Sequence, residues 1–288
     1  LDAAYMADKS TGYIKLNRFA ASSSSEIEEA MIKLKKKGMK NLILDLQGNG
    51  GGYLNIAIEL ADQFLSKKKL IVYTEGLRQR REEAKATYRG ELEDGKLIIL
   101  VDESSASASE ILSGAIQDWD RGVIVGRRTF GKGLVQKPIP LPDGSMIRLT
   151  VARYYTPTGR CIQKHYENGK QDEYDRDLIN RYNKGELLSA DSIHFPDSMK
   201  FNTLETNRIV YGGGGIMPDV FIPVDTTKHT TYHRKLVASG IINRAAMNYE
   251  DKYRDKLKKE YKKFSKYNEE FEVGEEIIQD MKSMTEKE

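Results

Sequence analysis

The sequence predicts an α/β fold, and three stretches carry that prediction. NLILDL (41–46) is a continuous apolar run; the glycine loop QGNGGG (47–52) follows, then YLNIAIELADQFL (53–65) with apolar residues at helical spacing. KLIILVD (96–102) opens a second unit of the same kind, in which a turn rich in serine and alanine leads into EILSGAIQDW at helical spacing. GVIVG (122–126) is a third short run, with alternate β-branched side chains. Apolar runs of this length between turn residues are buried strands. Strands that alternate with helices build an α/β core.

The remaining elements follow in chain order. GYIKLNRF, which ends at Phe19, alternates apolar and polar residues and reads as a half-buried strand. A serine run to Ser25 precedes a periodic stretch to about Lys37. Ser24 or Ser25 is the candidate N-cap of that helix and Gly38 its stop. KLIVYTEG (69–76) is another strand, and the charged residues 77–96 read as an exposed excursion. GSMIRLTVARYYT (144–156) alternates and runs into the turn Thr156-Pro157-Thr158-Gly159. Residues 164–211 are polar, rich in tyrosine and asparagine, and weakly periodic. They read as a surface insertion, whose removal is expected to leave the core folded. GGGGIMPDVFIP (212–223) returns to core-like sequence. The expected division is therefore a core over 1–163, an insertion over 164–211, a return to the core over 212–231, and a charged helical region over 232–288. EDKYRDKLKKEYKKF in that last region is a charged helix with a thin stripe of Tyr, Leu and Phe.

Bulk composition narrows the class. The chain has 288 residues and is 39% hydrophobic, enough for one large or two small domains with a real core. With 46 Lys+Arg against 43 Asp+Glu, the net charge of +3 argues against a dedicated nucleic-acid binder. No apolar run reaches the roughly 18 residues of a membrane span. LDAAYMADKSTG has neither an initiator Met nor a basic segment followed by an apolar one, so residue 1 is not expected to be the natural start. Cys161 is the single cysteine, so no internal disulfide framework is expected. His165, His194, His229 and His233 show no metal-like spacing, and neither a metal nor a cofactor is expected.

Three motifs can carry chemistry. Ser107 lies in SASAS at a strand-to-helix junction, where a hydroxyl can stand beside the free N–H groups of a helix's first turn. Lys132 lies between two glycines in TFGKG, which let the backbone approach a neighbour closely. QGNGGG fits neither usual phosphate-loop pattern, and its other use is to present N–H groups to an oxyanion. Taken singly, each has a plain structural reading: serine clusters are mostly turns and caps, loop lysines mostly solvated charges, and glycine loops often tight turns. Asp45, before the glycine loop, reads as structural. Trp119 reads as packing or helix termination. Together, a serine at a strand-to-helix turn and a lysine in a glycine loop are the parts of a Ser–Lys hydrolase, in which lysine replaces the histidine that usually activates serine.

In order along the chain, GYIKLNRF, LILDLQGNGGG, SASASEIL, GRRTFGKGLVQ, VARYYTPTGRCIQ and GIMPDV resemble the carboxyl-terminal processing (tail-specific) proteases, a family of Ser–Lys endopeptidases. The matching motifs run over 13–163 and resume at 215–223. Ser107 and Lys132 are 25 positions apart and Gln136 lies four further on, as in that family's catalytic serine, lysine and lysine-supporting glutamine. The resemblance implies a crotonase/Clp-protease type core and a serine endopeptidase acting on protein or peptide C-termini in the cell envelope, with the periplasm as the expected compartment. It assigns the oxyanion contacts to the N–H of Ala108 and to one of Gly51 or Gly52, a choice the sequence leaves open. A lysine base must be neutral when it acts, whereas the free side chain is charged at pH 7. Burial favours the neutral form, so Lys132 is expected to be buried and within hydrogen-bond reach of Ser107. There are departures: Gln47 replaces a common arginine, residues 164–211 intervene before GIMPDV, and the family's PDZ domain is expected to be absent from this chain. The charged C-terminal helices are candidates for self-association. Two other readings share the fold, a catalytically silent binding scaffold and a crotonase-like acyl-CoA enzyme, and an intact Ser–Lys–Gln set disfavours both.

Overall fold

The most apolar runs of the chain sit side by side at the centre of one sheet. In the computed structural model, β1 (Ala3–Met6), β2 (Thr11–Lys15), α1 (Ser23–Lys36), β3 (Asn41–Asp45), α2 (Leu54–Asp62), β4 (Leu70–Glu75), β5 (Glu82–Lys85), β6 (Leu97–Val101), α3 (Ala108–Asp118), β7 (Val123–Gly126), β8 (Leu134–Pro140) and β9 (Met146–Tyr155) follow in order. Next come α4 (Gln171–Asp175), α5 (Asp177–Asn183), β10 (Lys200–Asn202), β11 (Ile209–Tyr211) and β12 (Val220–Phe221). The structure describes residues 1–285 apart from 88, 89, 91, 167, 168 and 226–229. His229 therefore lies outside the described residues.

Among the described residues the main sheet has the order β1-β2-β3-β6-β7-β12, parallel throughout except where β1 pairs with β2. Parallel neighbours require crossovers, and α1, α2 and α3 lie in the connections. Helix α1 turns Ile27, Ala30, Met31 and Leu34 inward, the i, i+3, i+4, i+7 stripe of a half-buried helix. Its N-cap is Ser22, earlier than expected, because Ser23 is buried and bonds the Arg18 carbonyl at 2.9 Å. Helix α3 is buried along its whole length. Donors on its polar side chains find buried carbonyls: Ser109 Oγ donates to the Asn49 carbonyl (2.9 Å) and Gln117 Nε2 to the Met217 carbonyl (2.8 Å). Trp119 ends α3, and its indole N–H donates to the Leu70 carbonyl at 2.7 Å.

A second, antiparallel sheet has the order β5-β4-β9-β8. The charged excursion 77–96 thus contains an edge strand, β5, paired with β4. β8 forms the other edge, where Pro138 and Pro140 are tolerated because no further strand needs their missing N–H.

Residues 164–211 are tied to the rest of the unit by hydrogen bonds of buried arginines and by the Arg128–Glu186 ion pair. Asp118 and Arg160 form a fully buried pair, and Arg160 Nη1 also donates to the Tyr211 carbonyl at 3.0 Å. Arg181 of α5 is buried and donates to the carbonyls of Thr129 (3.0 Å) and Arg128 (2.6 Å). Leu1–Pro223, which includes this segment, is one compact unit. The segment supplies partners to otherwise buried polar groups, and deletion of 164–211 with a short linker, read by thermal unfolding, is the test of the expected surface insertion. Arg181→Ala leaves two carbonyls without their guanidinium and the Glu186 carboxylate with Arg128 alone, and is expected to cost about 2–4 kcal/mol of unfolding free energy. Urea unfolding of the full chain checks this, and an unchanged midpoint would contradict it.

Val224–Glu288 is a second compact unit. It contains α6 (Thr231–Ala238), α7 (Ile241–Glu260), α8 (Phe264–Glu270) and α9 (Glu275–Thr285), as the charged helical pattern predicts. The thin stripe of α7 becomes an aromatic cluster in which Tyr261 and Tyr267 meet edge to face at 5.4 Å and Tyr267 stacks on Phe271 at 4.7 Å. Lys252 and Glu276 join α7 to α9 at 2.5 Å. Among the described residues, no helix is long and apolar enough to cross a membrane.

Candidate active site

Four neighbouring strands of the main sheet, β2, β3, β6 and β7, point their carboxyl ends the same way, and each feeds a loop into one cleft. Ligand sites of open parallel sheets commonly sit at such ends. Asn17 and Arg18 come from the end of β2, Gly50 to Gly52 from β3, Ser107 from β6 and Lys132 from β7. Gln136 and Arg148 of the β8–β9 ribbon form a further wall of the cleft, whose volume is about 580 Å³.

Ser107 stands immediately before α3 with φ +56° and ψ −110°. A non-glycine residue in this region is strained by about 1–3 kcal/mol and is held there by its surroundings. Sharp strand-to-helix turns that expose a nucleophilic hydroxyl use the same device.

The restraint is Glu110, in the first turn of α3. It is fully buried, and its carboxylate accepts the N–H of Ser107 (2.8 Å), the N–H of Gly131 (2.6 Å), the N–H of Lys132 (2.8 Å) and the hydroxyl of Thr129 (2.6 Å). One side chain thus couples the serine turn to the lysine loop. Burial pushes the Glu110 carboxyl above the ordinary carboxylate range, and these four donors oppose that shift. The sequence signal for it is slight: Ser107-x-x-Glu110 is the spacing of a capping box. Its other partners lie 19 to 22 positions further on, beyond the reach of local pattern.

The glycine loop is held as closely. Asn49 is fully buried; its Nδ2 donates to the Leu16 carbonyl at 2.7 Å and its Oδ1 accepts the Gly51 N–H at 2.9 Å. Asp45 accepts the Gln47 N–H at 2.8 Å, which gives it the orienting place at the loop's entrance. The Gly51 N–H is therefore committed to Asn49. Those of Gly52 and Ala108 have no acceptor among the described residues. A Cβ at Gly51, where φ is +97°, would lie 2.7 Å from the Ala106 carbonyl oxygen and 2.8 Å from Ser107 Cβ. Gly51→Ala is expected to push on the serine turn and lower the reactivity of the Ser107 hydroxyl by about 100-fold, since a displacement near 1 Å can cost that much. A wild-type labelling rate at Ser107 in this variant would contradict the packing described.

Lys132 and Gln136 are exposed, although the flanking Gly131 and Gly133 are buried. No hydrogen bond joins Ser107 Oγ to Lys132 Nζ among the described residues. The burial expected of Lys132 is thus corrected: its loop is anchored through the backbone while its side chain projects into an open cleft. No group of His, Cys, Asp and Glu able to hold a metal ion occurs among the described residues.

A family model described as Peptidase family S41 matches residues 10–173, more than half of the chain. The chain belongs to peptidase family S41. The carboxyl-terminal-processing protease of Picosynechococcus sp. is 44% identical to this S41 chain over 153 residues, which is 53% of the chain and 36% of that protein. A probable CtpA-like serine protease of Staphylococcus epidermidis is 38% identical over 161 residues, 55% of the chain and 32% of that protein. The chain spans about a third of the length of these relatives. Among solved structures, a photosystem II D1 C-terminal processing protease aligns with a TM-score of 0.53 and 29% identity, covering 74% of this S41 chain and 42% of its own. A family of unknown function (DUF8443) matches residues 232–288.

Proposed function

We propose that the chain is the catalytic part of a serine endopeptidase that cleaves proteins near their C-termini, with Ser107 as nucleophile and Lys132 as base. The observation that carries this reading is the meeting, in one cleft, of a strained serine at a helix N-terminus, a lysine on a loop tied to the same carboxylate, and two unoccupied N–H groups. Ser107 Oγ attacks the peptide carbonyl while Lys132 Nζ takes its proton. The oxyanion is met by the N–H groups of Ala108 and Gly52, Gly51 being occupied by Asn49. Lys132 returns the proton to the leaving amine, then activates the water that releases the acyl group. Gln136 supports the lysine amine without adding charge. A peptide laid along the open cleft covers Lys132 and excludes water, the condition in which an amine acts as a base. The cell envelope is the place of work that goes with this reading.

The test is mass-spectrometric mapping of the products when the full chain is incubated with proteins and peptides of defined C-termini. Endoproteolytic cuts close to the C-terminus that vanish in Ser107→Ala are expected. The same cuts in Ser107→Ala, or release of single residues only, would overturn the proposal.

A further inference from the structure

Over the whole chain cationic and anionic residues nearly balance, 46 against 43. The cleft does not share this balance. Arg18, Lys132 and Arg148 line it, and among the described residues no Asp or Glu side chain does. Arg148 lies opposite Pro138 in the β8–β9 register, two pairs from Thr150 opposite Gln136, so strand alternation puts Arg148 and Gln136 on one face. Arg18 stands beyond the end of β2 on another wall.

Other arginines of this unit are neutralised by carboxylates: Arg127 by Glu103 (2.6 Å), Arg128 by Glu186 (2.8 Å) and Arg208 by Asp120 (2.8 Å). Arg18 and Arg148 are both exposed, and neither side chain has an ion-pair or hydrogen-bond partner among the described residues. Three carboxylates that hold the loops are engaged by them: Glu110 by the serine and lysine loops, Asp45 by the Gln47 N–H and the Tyr13 hydroxyl, and Asp102 by the N–H groups of Gly48, Ser104 and Ser105. Two permanent guanidinium charges therefore act in the cleft unopposed, even when Lys132 is neutral.

We infer that this cleft selects peptide segments that carry a carboxylate within a few residues of the scissile bond, with Arg148 and Arg18 as the residues that set the preference. The inference rests on the reading of the cleft as a peptidase site. A guanidinium takes a carboxylate in a two-pronged, charge-assisted contact that Lys and Gln do not reproduce. The carboxylate comes either from an Asp or Glu side chain or from the substrate's free C-terminus, and the experiment separates these.

Ser107→Ala in the full chain is titrated with one peptide series bearing a neutral dye. One position carries Glu, Gln or Lys, and each peptide is made with a free or an amidated C-terminus. Binding is read by fluorescence anisotropy at low and at physiological salt. Glu, or the free terminus, is expected to bind about tenfold tighter than its neutral counterpart at low salt, a difference of about 1.4 kcal/mol. The difference is expected to shrink as salt is added, because exposed charges are screened over about 8 Å at physiological ionic strength. Arg148→Glu is expected to reverse the order in favour of Lys, and Arg18→Glu to weaken the preference independently. A dependence on Glu against Gln assigns the side-chain source; a dependence on acid against amide assigns the terminus. Equal affinity across the series, or no measurable binding of any acidic peptide, overturns the inference. Cleavage by the wild-type chain judges the peptidase reading separately: cleavage without charge preference removes the inference alone.

Discussion

Ser107→Ala is expected to abolish peptide hydrolysis, with a fall in kcat of roughly 10⁴-fold or more and a folded protein left behind. Ser107 is half-buried on a turn whose shape is set by backbone contacts to Glu110, so removing Oγ disturbs little else. Lys132→Ala is expected to be as severe. The two side chains act in one proton transfer, so the double variant should be no worse than either single one. Lys132→Arg keeps the charge and nearly the length, yet should fail equally, because a guanidinium does not give up its proton near neutral pH. Steady-state rates for the four proteins check the set. Substantial hydrolysis by Lys132→Arg would remove Lys132 from the base role.

Glu110→Ala should be the most damaging substitution at a residue that does not face the cleft. It strands four donors in a fully buried space, each worth about 1–3 kcal/mol when left unmade, although water entering the vacated space recovers part of this. A net loss of about 3–5 kcal/mol is expected, a large share of the 5–15 kcal/mol that holds a domain together. Glu110→Gln keeps the volume but turns an amide NH₂ toward donors. It should stay folded at ambient temperature and lose about 10²- to 10³-fold in kcat, because the serine turn and the lysine loop are no longer fixed to each other. Near-UV circular dichroism and kcat/KM distinguish these outcomes; wild-type activity in Glu110→Ala would contradict the coupling role.

The same carboxyl gives a pH-dependent signature. Its folded pKa is raised by burial, so between the unfolded and folded values the folded chain holds a proton that the unfolded chain has released. Its contribution to stability is full below the unfolded value, near that of an ordinary glutamate, and is lost as pH rises through the folded value. The unfolding free energy of the wild type relative to Glu110→Gln should therefore fall with rising pH across that window. Urea unfolding at a series of pH values measures it, and a difference that rises with pH would reverse the assignment.

The parts of this fold that could be read from sequence are those fixed by local patterns. β3, β6 and β7 are short apolar runs bounded by glycine or acidic turns, and the helices after the first two repeat apolar residues every three or four positions. Ser107, Lys132 and the glycine loop were legible because they sit at the ends of those strands. β8 was not, since Lys137, Pro138 and Pro140 break the alternation and only an edge position accommodates them. The anchoring role of 164–211 was hidden because buried Arg181 is polar by composition and its partners, Arg128 and Thr129, lie more than 50 positions earlier. The choice between Gly51 and Gly52 depends on the rotamer of Asn49, which carries no pattern. Lys132 was expected to be buried because its proposed chemistry asks for it; the chain buries the two glycines beside it instead.

The most direct measurement of the central claim is active-site labelling of the full chain with a fluorophosphonate, read by intact mass and peptide mapping. One adduct at Ser107 is predicted, absent from Ser107→Ala and formed far more slowly in Lys132→Ala and Glu110→Ala. A folded wild-type chain that takes no label, or labels at another serine at the same rate in all four proteins, would contradict a Ser107 nucleophile activated by Lys132.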